Sequence, residues 1–357
     1  MESEMLVADW RYIMLYGGVM MLSLLGALYL LLRRGNAFAP EVSSPVRLRR
    51  WAATFLFIML LGHVWWLVYY IGPWYNQPLA LALVAGLDSV ILVPAMMATL
   101  LAMLQDRRRP VWPIIMVVLP VVSAMAVYAF FPEERVISLI RIYLIVLDVL
   151  FTVYMVYAVR QYSRWLRDNY SDLEHKEVWK SLLVLAVFLL VFLLYGASAN
   201  SLLAQYVVQV NDILLVALLL WRVETLQQIE GPAGQEEELP QTPESETAAL
   251  LEQRCEQERL YLQHDLTLSQ LSAATGIGRN DLIMFFARQG KTYNAYINGL
   301  RIRHFIRLYQ ESVAAGRSAT AKQLAFESGF HSYSTFGSVF KQSMGQPVSE
   351  WMRGLAK

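Results

Sequence analysis

Between about residues 12 and 221 the chain is built largely from apolar runs of about twenty residues, and few architectures tolerate that pattern. In a lipid interior every backbone N–H and C=O must find its partner within the protein, so runs of this length are expected to be membrane-spanning helices. Seven are read, at about 12–32, 51–71, 79–104, 111–131, 136–159, 178–199 and 202–221. The first is long enough to span and lacks a small-residue cleavage site, so an anchor is expected in place of a removed signal peptide. Pro94, Pro113 and Pro120 fall inside spans, where neighbouring helices can accommodate the kinks.

Basic residues set the expected orientation. Arg33, Arg34, Arg47, Arg49 and Arg50 crowd the first loop, and Arg107, Arg108 and Arg109 the third. Arg160, Arg164, Arg167, Lys176 and Lys180 crowd the fifth, whereas the opposite side has only Arg11 and Arg135 near its edges. The positive-inside rule then places the odd loops and the C-terminus in the cytoplasm, with the N-terminus outside. Trp10, Trp51, Trp74, Trp112, Trp179 and Trp221 sit near span ends, as an aromatic belt requires.

Ionisable groups inside spans are costly and suggest function by default. Asp88 lies in the third span, Arg141 and Asp148 share a face of the fifth, and Gln205, Gln209 and Asp212 form a stripe with Ser201 on the seventh. These six, Asp88, Arg141, Asp148, Gln205, Gln209 and Asp212, are the candidate intramembrane polar site. Two readings stay open: interhelical pairing, with Arg141 snorkelling outward, or a ligand or ion site. His63, alone in the second span, reads as a satisfied packing residue.

Charge is strongly segregated. Residues 1–222 carry 17 Lys and Arg against 14 Asp and Glu, residues 223–259 carry 2 against 10, and residues 260–357 carry 11 against 5. A basic last region behind an acidic connector suits phosphate contact by the former. The expected division is therefore a membrane domain at 1–222, an acidic flexible linker at 223–250 and a further domain at 251–357. A helix is expected to start near Glu246, with Leu250, Leu251, Cys255, Leu260 and Leu262 available for packing. Cys255 is the single cysteine, which excludes an intramolecular disulfide and a Cys-based zinc site. No His-x-x-His, Glu-x-x-His, HExxH or serine-protease pattern occurs. No catalytic residue, metal or cofactor is expected, and the chain reads as a non-enzyme.

The last region carries the most specific signal, TAKQLAFESGFHSYSTFGSVFK from Thr320 to Lys341. Leu324, Ala325, Phe330, Phe336, Val339 and Phe340 are spaced to bury one side of two short helices broken at Gly329. Thr320 and Ser332 can cap them through their hydroxyls. Two helices joined by a short Gly-containing turn describe a helix-turn-helix, whose second helix can enter a DNA major groove. Pro347 suits the first turn of a closing helix.

Gly329, Phe330, Ser332, Ser334, Phe336, Phe340 and Lys341, with Gly345 and Pro347 beyond, resemble the second helix-turn-helix of the AraC/XylS family of bacterial transcription regulators. The stretch Leu266 to Phe286 is similar to the family's first, and Thr292 to Gln310 to its linking helix. The resemblance covers about the last hundred residues. It implies a double helix-turn-helix domain, with motifs at about 266–289 and 320–342. Together with the seven apolar runs, the expected fold is all-α, a seven-helix transmembrane bundle followed by that domain. The basic loops and the need to meet bacterial DNA agree on a bacterial cytoplasmic-membrane protein whose DNA-binding domain faces the cytoplasm. Expected partners are double-stranded promoter DNA, the lipid bilayer, a second copy of the chain, RNA polymerase, and an unidentified small-molecule or envelope signal.

Candidate base contacts are Arg279, Asn280, Ile283 and Met284 in the first module and Tyr333, Ser334, Thr335 and Ser338 in the second. Arg can bond guanine O6 and N7, and Asn adenine N6 and N7, in the major groove. Ile283 and Met284 stand where relatives often carry polar or basic residues, which shifts weight toward contact with thymine methyls. Arg288, Lys291, Arg301, Lys322 and Lys341 are the candidate phosphate contacts, each of them also readable as an ordinary surface charge. Two other functions compete: a membrane-anchored factor released by proteolysis in the connector, and a transporter-like protein with a regulatory tail.

Overall fold

The structure, a computed structural model, describes residues 9–33, 43–75, 77–107, 109–110, 112–187, 189, 202–229, 243–317 and 319–355. Among these residues it is all-helical, with no strand beyond an isolated bridge between Tyr170 and Thr267. The chain divides into two compact units, Met1–Tyr162 with His175–Pro232, and Ser163–Glu174 with Ala233–Lys357.

Among the described residues, six helices are long and apolar enough to cross a membrane, all lying wholly or mainly in the first unit: α1 (Trp10–Leu32), α2 (Val46–Ile71), α3 (Pro78–Ala102), α4 (Trp112–Phe130), α5 (Glu134–Asn169) and α6, which runs Leu202–Thr225. Half of the expected span at 178–199 lies outside the described residues, as do residues 230–242 of the acidic connector. At 36 residues α5 is about 54 Å long, well beyond the roughly 30 Å of a hydrocarbon core. Its last turns, from Ser163, belong to the second unit. The third helix is not continuous, because a π-turn at Asp88–Leu92 interrupts it just before Pro94. An extra residue in one turn re-aims the backbone there without breaking the helix.

Small residues let these helices approach closely. The buried face of α1 carries Tyr12, Tyr16, Val19, Ser23, Gly26 and Leu30 at intervals of three and four, with Ala27 beside Gly26, one stripe of a helix. A Cβ on Gly26 would lie 3.0 Å from Leu56 Cδ1 and 3.6 Å from Leu220 Cδ1, so α1 meets α2 and α6 where it has no side chain.

The ends of this bundle are tied by sequence-distant polar contacts. Arg49 pairs with Glu224 at 2.7 Å, and Arg47 donates to the Arg109 carbonyl at 2.7 Å. Gln105 donates to the Gln227 carbonyl at 2.9 Å, and Gln227 N–H donates to the His175 carbonyl at 2.7 Å. The first, third and fifth loops therefore gather with the end of α6. The Tyr206 hydroxyl, near the start of α6, donates instead to Asp9 at 2.9 Å.

In the second unit, α7 (Glu244–Leu250) starts slightly earlier than the sequence suggests and continues as a π-turn through Gln257. A 3₁₀ turn at Leu260–Leu262 follows. Then come α8 (Leu268–Thr275), α9 (Arg279–Arg288), α10 (Tyr293–Ala314), α11 (Ala321–Glu327), α12 (Tyr333–Met344) and α13 (Val348–Leu355). Two cores result. Leu251, Cys255, Leu266, Leu271, Leu282 and Phe286 belong to one, and Leu324, Phe330, Phe336 and Phe340 to the other. The long helix α10 serves both. Its Tyr293, Ile297 and Leu300 enter the first core and its Ile302, Phe305 and Tyr309 the second. Leu300 and Ile302 lie about 200° apart around the helix axis, which lets one helix face two cores.

Candidate nucleic-acid interface

Each of the two modules of the second unit is a pair of short helices whose ends are set by local chemistry. Thr267 caps α8 in a reciprocal box with Gln270, and Gly276 ends it in the left-handed conformation. The Thr320 hydroxyl accepts from Gln323 N–H at 3.2 Å to start α11, and Ser332 accepts from Thr335 N–H at 3.1 Å to start α12. Gly329, between them, has φ +89°, and a Cβ there would lie 2.8 Å from Leu262 Cα. The turn of the second module is thus pressed against the 3₁₀ turn ahead of the first, at a position only glycine fits.

The expected reading residues lie along α9 and the first turns of α12. Asn280 and Met284 are exposed, while Ile283 is half-buried against the first core. Arg279 is half-buried, and its Nη2 donates to Asn169 Oδ1 at 2.6 Å. On α12, Tyr333, Ser334 and Ser338 are exposed, and the Ser338 hydroxyl donates to the Ser334 carbonyl at 3.1 Å. Thr335 is half-buried and donates to Glu174 Oε2 at 3.0 Å.

Among the basic residues, Lys291, Lys322 and Lys341 are exposed. Arg288 is also exposed and pairs with Glu244 at 2.8 Å, a surface contact of little energetic weight. Arg301 departs from expectation. It is 1% exposed, and it donates to the carbonyls of Tyr261, Gln263 and His264 at 2.8, 2.7 and 3.0 Å. Its positive charge closes the entry to the first module, and burial pulls its pKa down to about 10, still ionised near neutrality. The guanidinium is a fastener for backbone carbonyls and is not placed at the surface for phosphate.

Sequence reasoning did not single out two other buried polar residues. The Tyr261 hydroxyl lies 2.7 Å from His304 Nδ1, and both residues are buried. Burial, with Arg307 and Arg259 nearby, lowers the His304 pKa. A polar pair at helical spacing from apolar neighbours gives no sequence signal of its own. Cys255 is fully buried, and burial pushes its thiol up to about 12, which makes it unreactive.

The intramembrane candidates separate into groups. On α6, Gln205, Gln209 and Asp212 are buried toward α1 and α2. His63 Nε2 lies 3.3 Å from Gln209 Oε1 and 3.5 Å from Asp212 Oδ2, and its Nδ1 lies 2.8 Å from the Met59 carbonyl. The hydroxyl of Tyr12 donates to Gln205 at 3.4 Å and that of Tyr16 to the His63 carbonyl at 2.6 Å. His63, read as a lone packing residue, is thus the centre of a polar cluster, and the cluster satisfies its own members. Asp88 accepts from the indoles of Trp65 and Trp66 at 3.1 and 2.6 Å. Arg141 is exposed and Asp148 half-buried on α5. Among the described residues neither shares a hydrogen bond or ion pair with the His63 cluster, so the six candidates do not converge on one site. Also among the described residues, no group of three His, Cys, Asp or Glu could hold a metal ion.

No curated protein and no solved structure matches the chain. Residues 271–354, which run from within α8 to within α13, match the family model of a helix-turn-helix domain. That match supports the AraC/XylS resemblance, and the carboxy-terminal region of this chain carries a helix-turn-helix domain, a DNA-binding and not an enzymatic fold.

Proposed function

We propose that this chain is a membrane-embedded one-component transcription regulator. Its apolar helices hold it in the bacterial cytoplasmic membrane, and its second unit binds promoter DNA in the cytoplasm. The observation that carries the reading is the helix-turn-helix match over 271–354, laid on two capped helix pairs joined by α10. The reading gives Arg279, Asn280, Ile283, Met284, Tyr333, Ser334, Thr335 and Ser338 to the bases, and Arg288, Lys291, Lys322 and Lys341 to phosphates.

The polar contacts at the bundle ends support the orientation. Arg49 follows the first span and Glu224 follows the last, and they pair directly, so an even number of crossings separates them. Five helices, α2 to α6, lie between or adjoin these residues, and the run at 178–199 supplies the sixth. With α1 the reading counts seven, and this supports a cytoplasmic DNA-reading unit under the positive-inside rule. A second copy of the chain, RNA polymerase and an unidentified signal acting on the membrane unit complete the reading. A coupling of about 1–3 kcal/mol between the units would change operator affinity roughly 5- to 150-fold.

Genomic DNA selection with the detergent-solubilised full chain, at two salt concentrations, tests it. Enrichment of a short repeated motif is the expected result. Salt-insensitive recovery with no motif would reject sequence-specific regulation.

A further inference from the structure

The segment that connects α5 to the next apolar run reads Asn-Tyr-Ser-Asp-Leu-Glu at 169–174, and it belongs to the same compact unit as the helix-turn-helix modules. We propose that it is an autoinhibitory plug that occupies the DNA-reading face of both modules at once. The proposal rests on the DNA-binding reading above.

Two of its side chains engage candidate reading residues. Asn169 Oδ1 accepts from Arg279 Nη2 at 2.6 Å, at the first turn of α9. Glu174 Oε2 accepts from Thr335 Oγ1 at 3.0 Å, in the first turn of α12. In each case the plug offers an acceptor of the kind DNA offers: an amide oxygen where a guanine edge would sit, and a carboxylate where a phosphate or base oxygen would. A duplex and the plug cannot hold the same donors together.

Between these two contacts the plug is anchored. The Ser171 hydroxyl donates to the Leu266 carbonyl at 2.7 Å, and the Ser171 carbonyl accepts from Asn294 at 2.8 Å and from Asn298 at 3.1 Å. The Tyr170 carbonyl accepts from Asn294 at 3.1 Å, and Arg301 Nη2 donates to the Ser171 hydroxyl at 3.3 Å. Asn169, Tyr170, Ser171 and Asp172 are all buried. A connecting loop usually lies in water because its backbone needs partners. This one finds its partners on the helix-turn-helix unit, so its docked position is specified.

The plug is also mechanically addressed. Asn169 is the last residue of α5, a helix whose earlier part, through Tyr162, belongs to the membrane unit. A shift or rotation of α5 would pull directly on the first plug contact. A signal in the bilayer therefore needs no diffusible messenger to reach Arg279.

The test uses full-length protein in lipid nanodiscs and a duplex selected from a random library by an Asn169→Ala/Glu174→Ala variant, which keeps the Ser171 anchor. The variant is expected to bind that duplex about 5- to 150-fold more tightly than the wild type. In a Glu174→Cys/Thr335→Cys protein, oxidation should weaken binding relative to the reduced form of the same protein, whatever the Thr335 substitution itself costs, while the buried Cys255 stays out of the reaction. Equal or weaker binding by the Asn169→Ala/Glu174→Ala variant, or undiminished binding by the oxidised crosslinked form, would overturn the plug. If binding is equal in wild type and variant yet lost on Arg279→Ala, the plug fails and the DNA-binding reading survives. If no form selects or binds DNA, both fall.

Discussion

Arg49 and Glu224 form an ion pair at 2.7 Å in which the carboxylate side chain is 1% exposed and the guanidinium 10%. The same guanidinium also donates to the carbonyls of Leu30 and Arg33, so one side chain ties the end of α1, the start of α2 and the end of α6. A buried charge stripped of its partner is costly, on the order of 3–5 kcal/mol. Arg49→Ala is therefore expected to lower the thermal stability of the detergent-solubilised chain sharply. Arg49→Met with Glu224→Leu should recover much of the loss, because it removes both charges. A double variant no more stable than Arg49→Ala would show that the carbonyl contacts of Arg49 matter more than the ion pair.

Gly329 and Gly337 should respond to alanine in opposite directions. At Gly329 the new Cβ would meet Leu262 Cα at 2.8 Å and the Tyr261 and Leu262 carbonyl oxygens at 2.9 Å, with φ at +89°. Backbone strain and overpacking together should cost about 2–4 kcal/mol. At Gly337, within α12, nothing lies within 4 Å of the added carbon. Gly337→Ala should stabilise the helix by up to about 1 kcal/mol. Hydrogen exchange of the α12 amides separates the two, faster for Gly329→Ala and slower for Gly337→Ala.

The Tyr261–His304 pair gives the second unit a pH dependence. Tyr261 and Arg307 both direct donors at His304 Nδ1, at 2.7 and 3.3 Å, which requires that nitrogen to be unprotonated. The folded pKa is lowered by burial first, then by Arg307 and Arg259. Below the ordinary histidine value of about 6.5 the unfolded chain therefore binds more protons than the folded one. Stability should be full above that value and should fall as pH drops through the lower folded pKa. Amide exchange in α10 should accelerate over that window in the wild type and much less in His304→Gln. An identical pH response in the two proteins would reject His304 as its source.

How much of this was legible in the sequence varied with the range of the interaction. Arg279–Arg288 follows from apolar spacing, and the Thr320 and Ser332 caps follow from side chains that act on their own neighbours. The long apolar helices follow from the length of their apolar runs. Arg301 could not be read correctly, because a buried fastener and a phosphate ligand look alike in a basic helix; only the carbonyls of Tyr261, Gln263 and His264 decide it. The docking of Ser171 on Leu266 joins residues far apart in the chain, and a loop counted for its positive charges carries no local mark of it. His63 and Asp212 are likewise distant in sequence, so a histidine that seemed isolated in its span acquires its partners only through packing.

Lys341 and Arg279 separate two kinds of contact on DNA. Lys341 is exposed in the last turn of α12, away from the first turn that the proposed function gives to the bases, so a phosphate contact is the role expected of it. Lys341→Ala should weaken binding alike on all sequences and reduce the log–log salt slope by about one, as one fewer counterion is released. An unchanged slope would remove it from the phosphate contacts. Arg279 sits at the start of α9 with a planar fork suited to one guanine. Arg279→Ala should cost about 1–3 kcal/mol at a single base position and leave other positions as selective as before. In the Asn169→Ala/Glu174→Ala background the same substitution should show its whole effect on DNA. In the wild type, part of that loss is offset, because Arg279→Ala also removes the contact that holds Asn169. Equal losses on every sequence, in both backgrounds, would reassign Arg279 from reading a base to holding the backbone.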